Sequence, residues 1–137
     1  MTYHGFSTRD YLILDNIPIS KEISVMEIGV GTGSTADLII GKVRKYCGVD
    51  ISADLIGWLK SVYNREDSVK FYAIDVCGNE FLDEKFDVIF SADTLEHVKS
   101  PKRYFNFIAK HLSSDGIVLI TFPNESEKAP RPYLVQQ

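Results

Sequence analysis

The run Glu27-Ile28-Gly29-Val30-Gly31-Thr32-Gly33-Ser34 sets three glycines at alternate positions between an apolar stretch and a segment of helical spacing. Glycine there lets the backbone turn tightly and approach a ligand with no Cβ in the way. A tight strand-to-helix turn accounts for the glycines equally well. Seventeen residues after Gly33 the run Gly48-Val49-Asp50 ends on a carboxylate. In a doubly wound α/β arrangement, an acid at the end of the second strand accepts hydrogen bonds from a ribose diol. As a cap on a helix that follows Ser52, Asp50 would serve structure alone. The third small position bears on which nucleotide is held. A dinucleotide fingerprint, G-x-G-x-x-G, requires Gly or Ala where this chain has Ser34. His97 is the candidate for proton chemistry, because imidazole titrates near neutrality and an attacking hydroxyl must shed a proton. The alternative is a histidine packed behind its loop on a backbone carbonyl.

These residues need a scaffold, and the hydrophobic pattern describes one. Five short apolar runs, centred near Val25, Val49, Ile74, Ile89 and Leu119, alternate with segments of helical spacing, which is a βαβ pattern. Ala36, Ile39, Ile40 and Val43 give the first crossover helix, weakened by Gly41. Leu55, Ile56, Leu59, Val62 and Tyr63 give the second, capped by Ser52. Ser100 and Pro101 open a third, with Tyr104, Phe105, Ile108 and Leu112 on one stripe and a left-handed stop expected at Gly116. Residues 76–85 leave room for a loop with at most one helical turn. Residues 8–17 form a preceding helix ended by Pro18.

The chain has 137 residues, 45% hydrophobic and 25% charged, with a formal charge of −4. That describes one ordinary globular domain spanning 1–137, with 1–21 as an N-terminal helix or lid and 124–137 as a tail. The longest apolar run, residues 117–122 with Thr121 counted, is far below the roughly 20 residues of a membrane span. Met1-Thr2-Tyr3-His4-Gly5 has no basic region leading an apolar one, so a cytoplasmic protein is expected. Cys47 and Cys77 lack metal spacing and read as reduced thiols. The acidic balance argues against nucleic acid, despite Lys99, Lys102, Arg103 and Lys110 in one segment.

The spacing Glu-x-Gly-x-Gly-x-Gly resembles the first motif of class I S-adenosylmethionine-dependent methyltransferases, over roughly residues 22–124. The run Phe86-Asp87-Val88-Ile89-Phe90-Ser91-Ala92-Asp93-Thr94-Leu95-Glu96-His97-Val98 looks like the corresponding stretch of the ubiquinone-biosynthesis O-methyltransferase type. The resemblance implies that Glu27, Gly29, Val30, Gly31 and Gly33 surround the methionine and ribose portions of the cofactor. Asp50 would grip the ribose hydroxyls and Ile51 would pack on adenine. Asp75, with Val76 beside it, would accept from the exocyclic amine, unless it is a loop aspartate facing water. Ser91 and Ala92 would line the methionine portion. Some methyltransferases place a divalent metal at a pattern like Asp93, Glu96 and His97, but no further histidine stands nearby, and no metal is expected. The implied fold is a Rossmann-like, doubly wound three-layer α/β sandwich with a mostly parallel sheet in the order 3-2-1-4-5. It lacks the family's usual last two strands, which residues 124–137 are too few to supply.

The expected activity is transfer of a methyl group from S-adenosyl-L-methionine to a small-molecule acceptor through a hydroxyl, leaving S-adenosyl-L-homocysteine, with His97 as the base. Two other readings stand beside it: a cofactor-binding module without turnover, and a nicotinamide-dependent oxidoreductase. A bare fifth-strand edge, or the apolar residues of the tail, would pair with a second copy.

Overall fold

The computed structural model describes residues 7–123 and the strand segments 125–126, 129–130 and 134–136. Helix α1 (Thr8–Asn16) is opened by a reciprocal capping box between Ser7 and Asp10 and released before Pro18 by extended Ile17. Strand β1 (Ser24–Ile28) follows, buried at every position. Helix α2 (Ser34–Ile39) is shorter than its apolar pattern predicts, because Ile40 leaves the helix and Gly41 turns left-handed at φ 85°. Val43 is still buried, carried inward by the turn. Strand β2 (Lys45–Asp50), helix α3 (Ala53–Val62) and strand β3 (Val69–Ala73) complete the first half. Strand β3 ends one residue before Ile74, the expected centre of that run. Val62, expected on the core face of α3, is 51% exposed, so the buried stripe is the narrower pair Ile56 and Leu59.

No helix stands between β3 and β4 (Phe86–Ala92). Helix α4 (Pro101–His111) starts as its Ser100 cap and Pro101 dictate, yet it buries Tyr104, Phe107, Ile108 and His111. Phe105, assigned to that stripe from sequence, is 47% exposed, and Leu112 is already the first residue of β5 (Leu112–Phe122). Gly116 does not adopt the left-handed conformation expected of it. The chain passes straight from helix to strand, and the register shift between Phe86 and Val88 absorbs the intervening residues. Gly116 is needed for close approach instead, since a Cβ there would lie 2.5 Å from Leu112 Cδ1.

The parallel strands run in the order β3-β2-β1-β4-β5. Short segments β6 (Glu125–Ser126) and β7 (Ala129–Pro130) pair with each other, and β8 (Leu134–Gln136) lies antiparallel along β5. The edge expected to be bare is therefore taken at Ile120, Thr121 and Phe122 by the chain's own tail; residues 131–133 of that tail lie outside the described residues.

Both sheet faces are covered, as a parallel sheet requires. Ile13, Ile39, Ile56 and Leu59 bring α1, α2 and α3 onto one face. Tyr104, Phe107 and Ile108 bring α4 onto the other, joined by Ile74, Val76 and Cys77 of the crossover. Both cysteines are free and buried, and burial pushes the Cys47 thiol up to about 12. At the amino ends of the central strands, Ser24 N–H donates to Asp87 Oδ2 at 2.8 Å and Asp87 N–H donates to Ser24 Oγ at 3.1 Å. The bond from Ser24 N–H and a second from Ser24 Oγ to Oδ2 at 3.1 Å, with burial opposing them and Arg44 assisting, hold the Asp87 carboxyl below its ordinary value.

Candidate functional site

The carboxyl ends of β1, β2 and β4 open into a cleft of about 310 Å³, the place where ligands sit in open α/β sheets. The glycine turn builds its floor. Gly29, Gly31 and Gly33 all have positive φ, so each satisfies a backbone demand that other residues resist. At Gly29 space is also at issue, because a Cβ would fall 2.1 Å from Thr94 Oγ1. Thr94 is held there by its hydroxyl, 3.2 Å from the Ala92 carbonyl oxygen.

Asp50 lines the cleft and does two structural jobs at once. Its Oδ2 accepts from Gly31 N–H and its Oδ1 accepts from Ser52 N–H, both at 2.9 Å. The cap of α3 is Ser52, whose Oγ accepts from Leu55 N–H at 3.3 Å, so Asp50 braces the two turns without capping the helix, and of the roughly four acceptor positions of a carboxylate two remain. Ile51 follows, an apolar side chain that lines the cleft and is 71% exposed. Beside it, at the end of β3, Ile74, Asp75 and Val76 also line the cleft, and Ile74 N–H donates to the Asp50 carbonyl at 2.9 Å. Asp75 Oδ1 accepts from Cys77 N–H at 2.9 Å, which fixes the loop while the residue stays exposed.

The β4 end supplies Ala92, Asp93 and Thr94. Asp93 has φ 51°, a conformation aspartate tolerates better than most side chains. Its Oδ2 receives Arg9 from α1 at 3.2 Å. Arg9 also lines the cleft, and its Nε is buried without a hydrogen-bond partner. His97 closes a one-turn 3₁₀ segment (Leu95–His97) and stands exposed at the cleft mouth beside Val98 and Lys99, its Nε2 3.7 Å from Glu96 Oε1. It is not packed behind its loop. Asp93, Glu96 and His97 do not share a helical face, because Asp93 is left-handed and the 3₁₀ turn begins after it. Among the described residues no group of His, Cys, Asp or Glu could hold a metal ion.

Of the residues named from sequence, Gly29, Asp50, Ile51, Asp75, Val76, Ala92 and His97 meet at this cleft. Glu27, Val30, Gly31, Gly33 and Ser91 are not among the residues that line it. Ser91 Oγ donates to the Ile28 carbonyl at 3.1 Å, tying β4 to β1 just below the turn. Glu27 is 3% exposed and faces the α1 side of the sheet, sharing that side with Val25 by strand alternation. Burial pushes its carboxyl well above the ordinary range, against the pull of the Arg9 charge. Its Oε2 has no hydrogen-bond partner. Arg9, Thr94 and Lys99 were not picked out from sequence. The capping box of Ser7 and Asp10 marks where α1 begins, but it carries no sign that Arg9 reaches the cleft.

A family profile described as a methyltransferase domain matches residues 7–135. Phosphoethanolamine N-methyltransferase 3 of Arabidopsis thaliana is 30% identical over 129 residues, covering 92% of this chain and 26% of the relative. Phosphoethanolamine N-methyltransferase 2 of Caenorhabditis elegans is 32% identical over 101 residues, covering 72% and 23%. The chain spans about a quarter of the length of these curated relatives. Among solved structures, the YcgJ protein of Bacillus subtilis superposes with a TM-score of 0.76 at 23% identity, over 88% of this chain and 52% of that one.

Proposed function

Because the chain belongs to the class I S-adenosylmethionine-dependent methyltransferases, we propose that its cleft binds S-adenosylmethionine and presents the methyl group to a small-molecule acceptor entering past His97. The observation that carries this reading is Asp50, a carboxylate at the end of β2 that lines the cleft, is bonded to the glycine turn and still has acceptor positions unused. When bound, the cofactor supplies a methyl group on a positively charged sulfur that is already a good leaving group. The protein's main task is then alignment.

The residues fit that group end by end. Asp50 accepts from both ribose hydroxyls. Ile51, Ile74 and Val76 pack on the adenine ring, and Asp75 accepts from its amine. Arg9, with an unused buried donor at Nε, meets the negative α-carboxylate, the one anionic group of the cofactor. Ala92 and Thr94 wall the methionine chain. Glu27, Val30, Gly31, Gly33 and Ser91 hold those walls in shape.

The acceptor atom in this reading is nitrogen, supported by the N-methyltransferase names of the relatives. His97 takes the proton that an attacking amine, in its ammonium form, must first lose. A hydroxyl acceptor is the second reading, and the same exposed imidazole favours it. A second copy of the chain belongs to the proposal as well. Among the described residues no strand lies along residues 113–118 of β5 on the side away from β4, and a second β5 there would satisfy those backbone groups.

Calorimetry with S-adenosylhomocysteine and with NAD tests the cleft. Heat with the first and none with the second supports methyl transfer over hydride transfer, as Ser34 in place of a third fingerprint glycine anticipates. Labelled S-adenosylmethionine offered with phosphoethanolamine, other small amines and small hydroxyl compounds then tests turnover. Binding with no transfer to any acceptor would make this chain a cofactor-binding module.

A further inference from the structure

Helix α1 is joined to the body of the protein by an unusual contact. Asp10 is only 5% exposed, and its carboxylate accepts three hydrogen bonds. Its Oδ2 accepts from Ser7 N–H at 2.9 Å and from Ser7 Oγ at 2.8 Å, and its Oδ1 accepts from Thr35 Oγ1 at 3.0 Å. Thr35, itself 3% exposed, is the second residue of α2 and follows the glycine turn by two positions. Burying a carboxylate is costly unless every bond is made, and Ile13 and Ile17 already fasten α1 through apolar contact. What a hydrogen bond adds to apolar packing is direction. It fixes the rotation of α1 about its own axis, and with it the heading of the adjacent side chain, Arg9. Arg9 reaches across to Asp93 at 3.2 Å and borders the cleft next to the turn that Thr35 follows.

We propose that Asp10 and Thr35 are positioning residues for the amino-acid end of the cofactor: their hydrogen bond sets the rotation of α1 so that Arg9 is aimed at the α-carboxylate. This rests on the reading that the cleft binds S-adenosylmethionine. Neither residue lines the cleft, so their effect on binding is indirect, and the route assigned to it is Arg9. The Asp10 carboxyl suits the task at neutral pH. Burial pushes its pKa up, but the bonds from Ser7 and Thr35 and the neighbouring Arg9 charge outweigh that and hold it below its ordinary value.

Two probes separate positioning from general support: S-adenosylhomocysteine, and 5′-methylthioadenosine, which keeps the nucleoside and the thioether but has no amino-acid end. Calorimetry on the full chain is expected to show Thr35→Val weakening S-adenosylhomocysteine about tenfold while 5′-methylthioadenosine stays within about twofold. Thr35→Ser, which keeps the hydroxyl, restores the parent affinity, and Asp10→Ala, which removes the partner of that hydroxyl, behaves like Thr35→Val. Arg9→Ala loses the same selectivity, and adding Thr35→Val to it brings no further loss, as coupled residues require. Equal weakening of both probes by Thr35→Val, or full additivity with Arg9→Ala, overturns the inference while leaving the cleft assignment standing. If the parent chain binds neither probe, the cleft assignment falls and the inference falls with it.

Discussion

Asp50 shows how much one carboxylate carries. Replacing it with alanine removes the acceptor for two backbone N–H groups as well as the proposed ribose contact. Asp50→Ala is expected to weaken S-adenosylhomocysteine by about 1.5–3 kcal/mol by calorimetry, and to lower unfolding free energy in urea by about 1–2 kcal/mol. A variant that binds like the parent would reduce Asp50 to a turn residue. Glu27 offers a test of the opposite kind. It keeps its proton in the folded chain to a pH well above 4.5, the value near which it ionises when unfolded. The folded state therefore binds more protons in between. The stability Glu27 contributes is complete below pH 4.5 and is lost as pH rises through the folded value. Glu27→Gln, neutral throughout, should be more stable than the parent at pH 7, with the difference closing toward pH 4.5 in urea titrations. Asp50 and the glycine turn were legible in the sequence because their spacing along one βαβ unit is itself the signal. Arg9 was not, since its place at the cleft depends on a helix folding back over a strand end, which no local pattern encodes.

At the scale of elements, spacing predicted which helices exist and misjudged which side chains they bury. In α4 the pair Tyr104 and Ile108 was read correctly, but Phe107 and His111 take the core positions given to Phe105 and Leu112. A histidine is a poor guess for a fully buried site unless its ring nitrogens are known to be paired, and here both are. Leu82 N–H donates to Nε2 at 2.9 Å, so the proton sits on Nδ1, which donates to the Phe107 carbonyl at 2.7 Å. The ring also stacks on Phe107 with centroids 4.1 Å apart. His111 thus pins the helix-free crossover between β3 and β4 to α4. His111→Ala is expected to lower stability by about 2–4 kcal/mol, combining lost packing with an unpaired Leu82 N–H. Hydrogen exchange should show that amide losing protection before the sheet does. The glycine turn makes a matching prediction. Gly29→Ala forces a Cβ onto Thr94 Oγ1 at a positive φ, and Thr94→Ala in the same chain should recover part of the lost stability in urea melts by removing the clash but not the backbone strain.

For the whole molecule, the alternation of runs announced a βαβ chain and the resemblance carried by the glycine motif supplied the strand order, while the antiparallel β8 was not legible. Three residues in a polar tail carry too little pattern to declare a strand, and their pairing with Ile120, Thr121 and Phe122 is non-local. Deleting residues 134–137 uncovers that stretch of β5, and sedimentation is expected to show more self-association than in the parent chain. A monomer at every concentration would mean that β8 protects nothing. The central position of β1 has a consequence for how the chain is made. Every residue of β1 is buried, with β2 on one side and β4 on the other, and Ser24 meets its partner Asp87 only sixty-three residues later. A ribosome delivers β1, β2 and β3 well before β4. The nascent chain must therefore carry one edge of this fully buried strand unpaired for several seconds at ordinary elongation speeds, the interval in which a chaperone has most to shield.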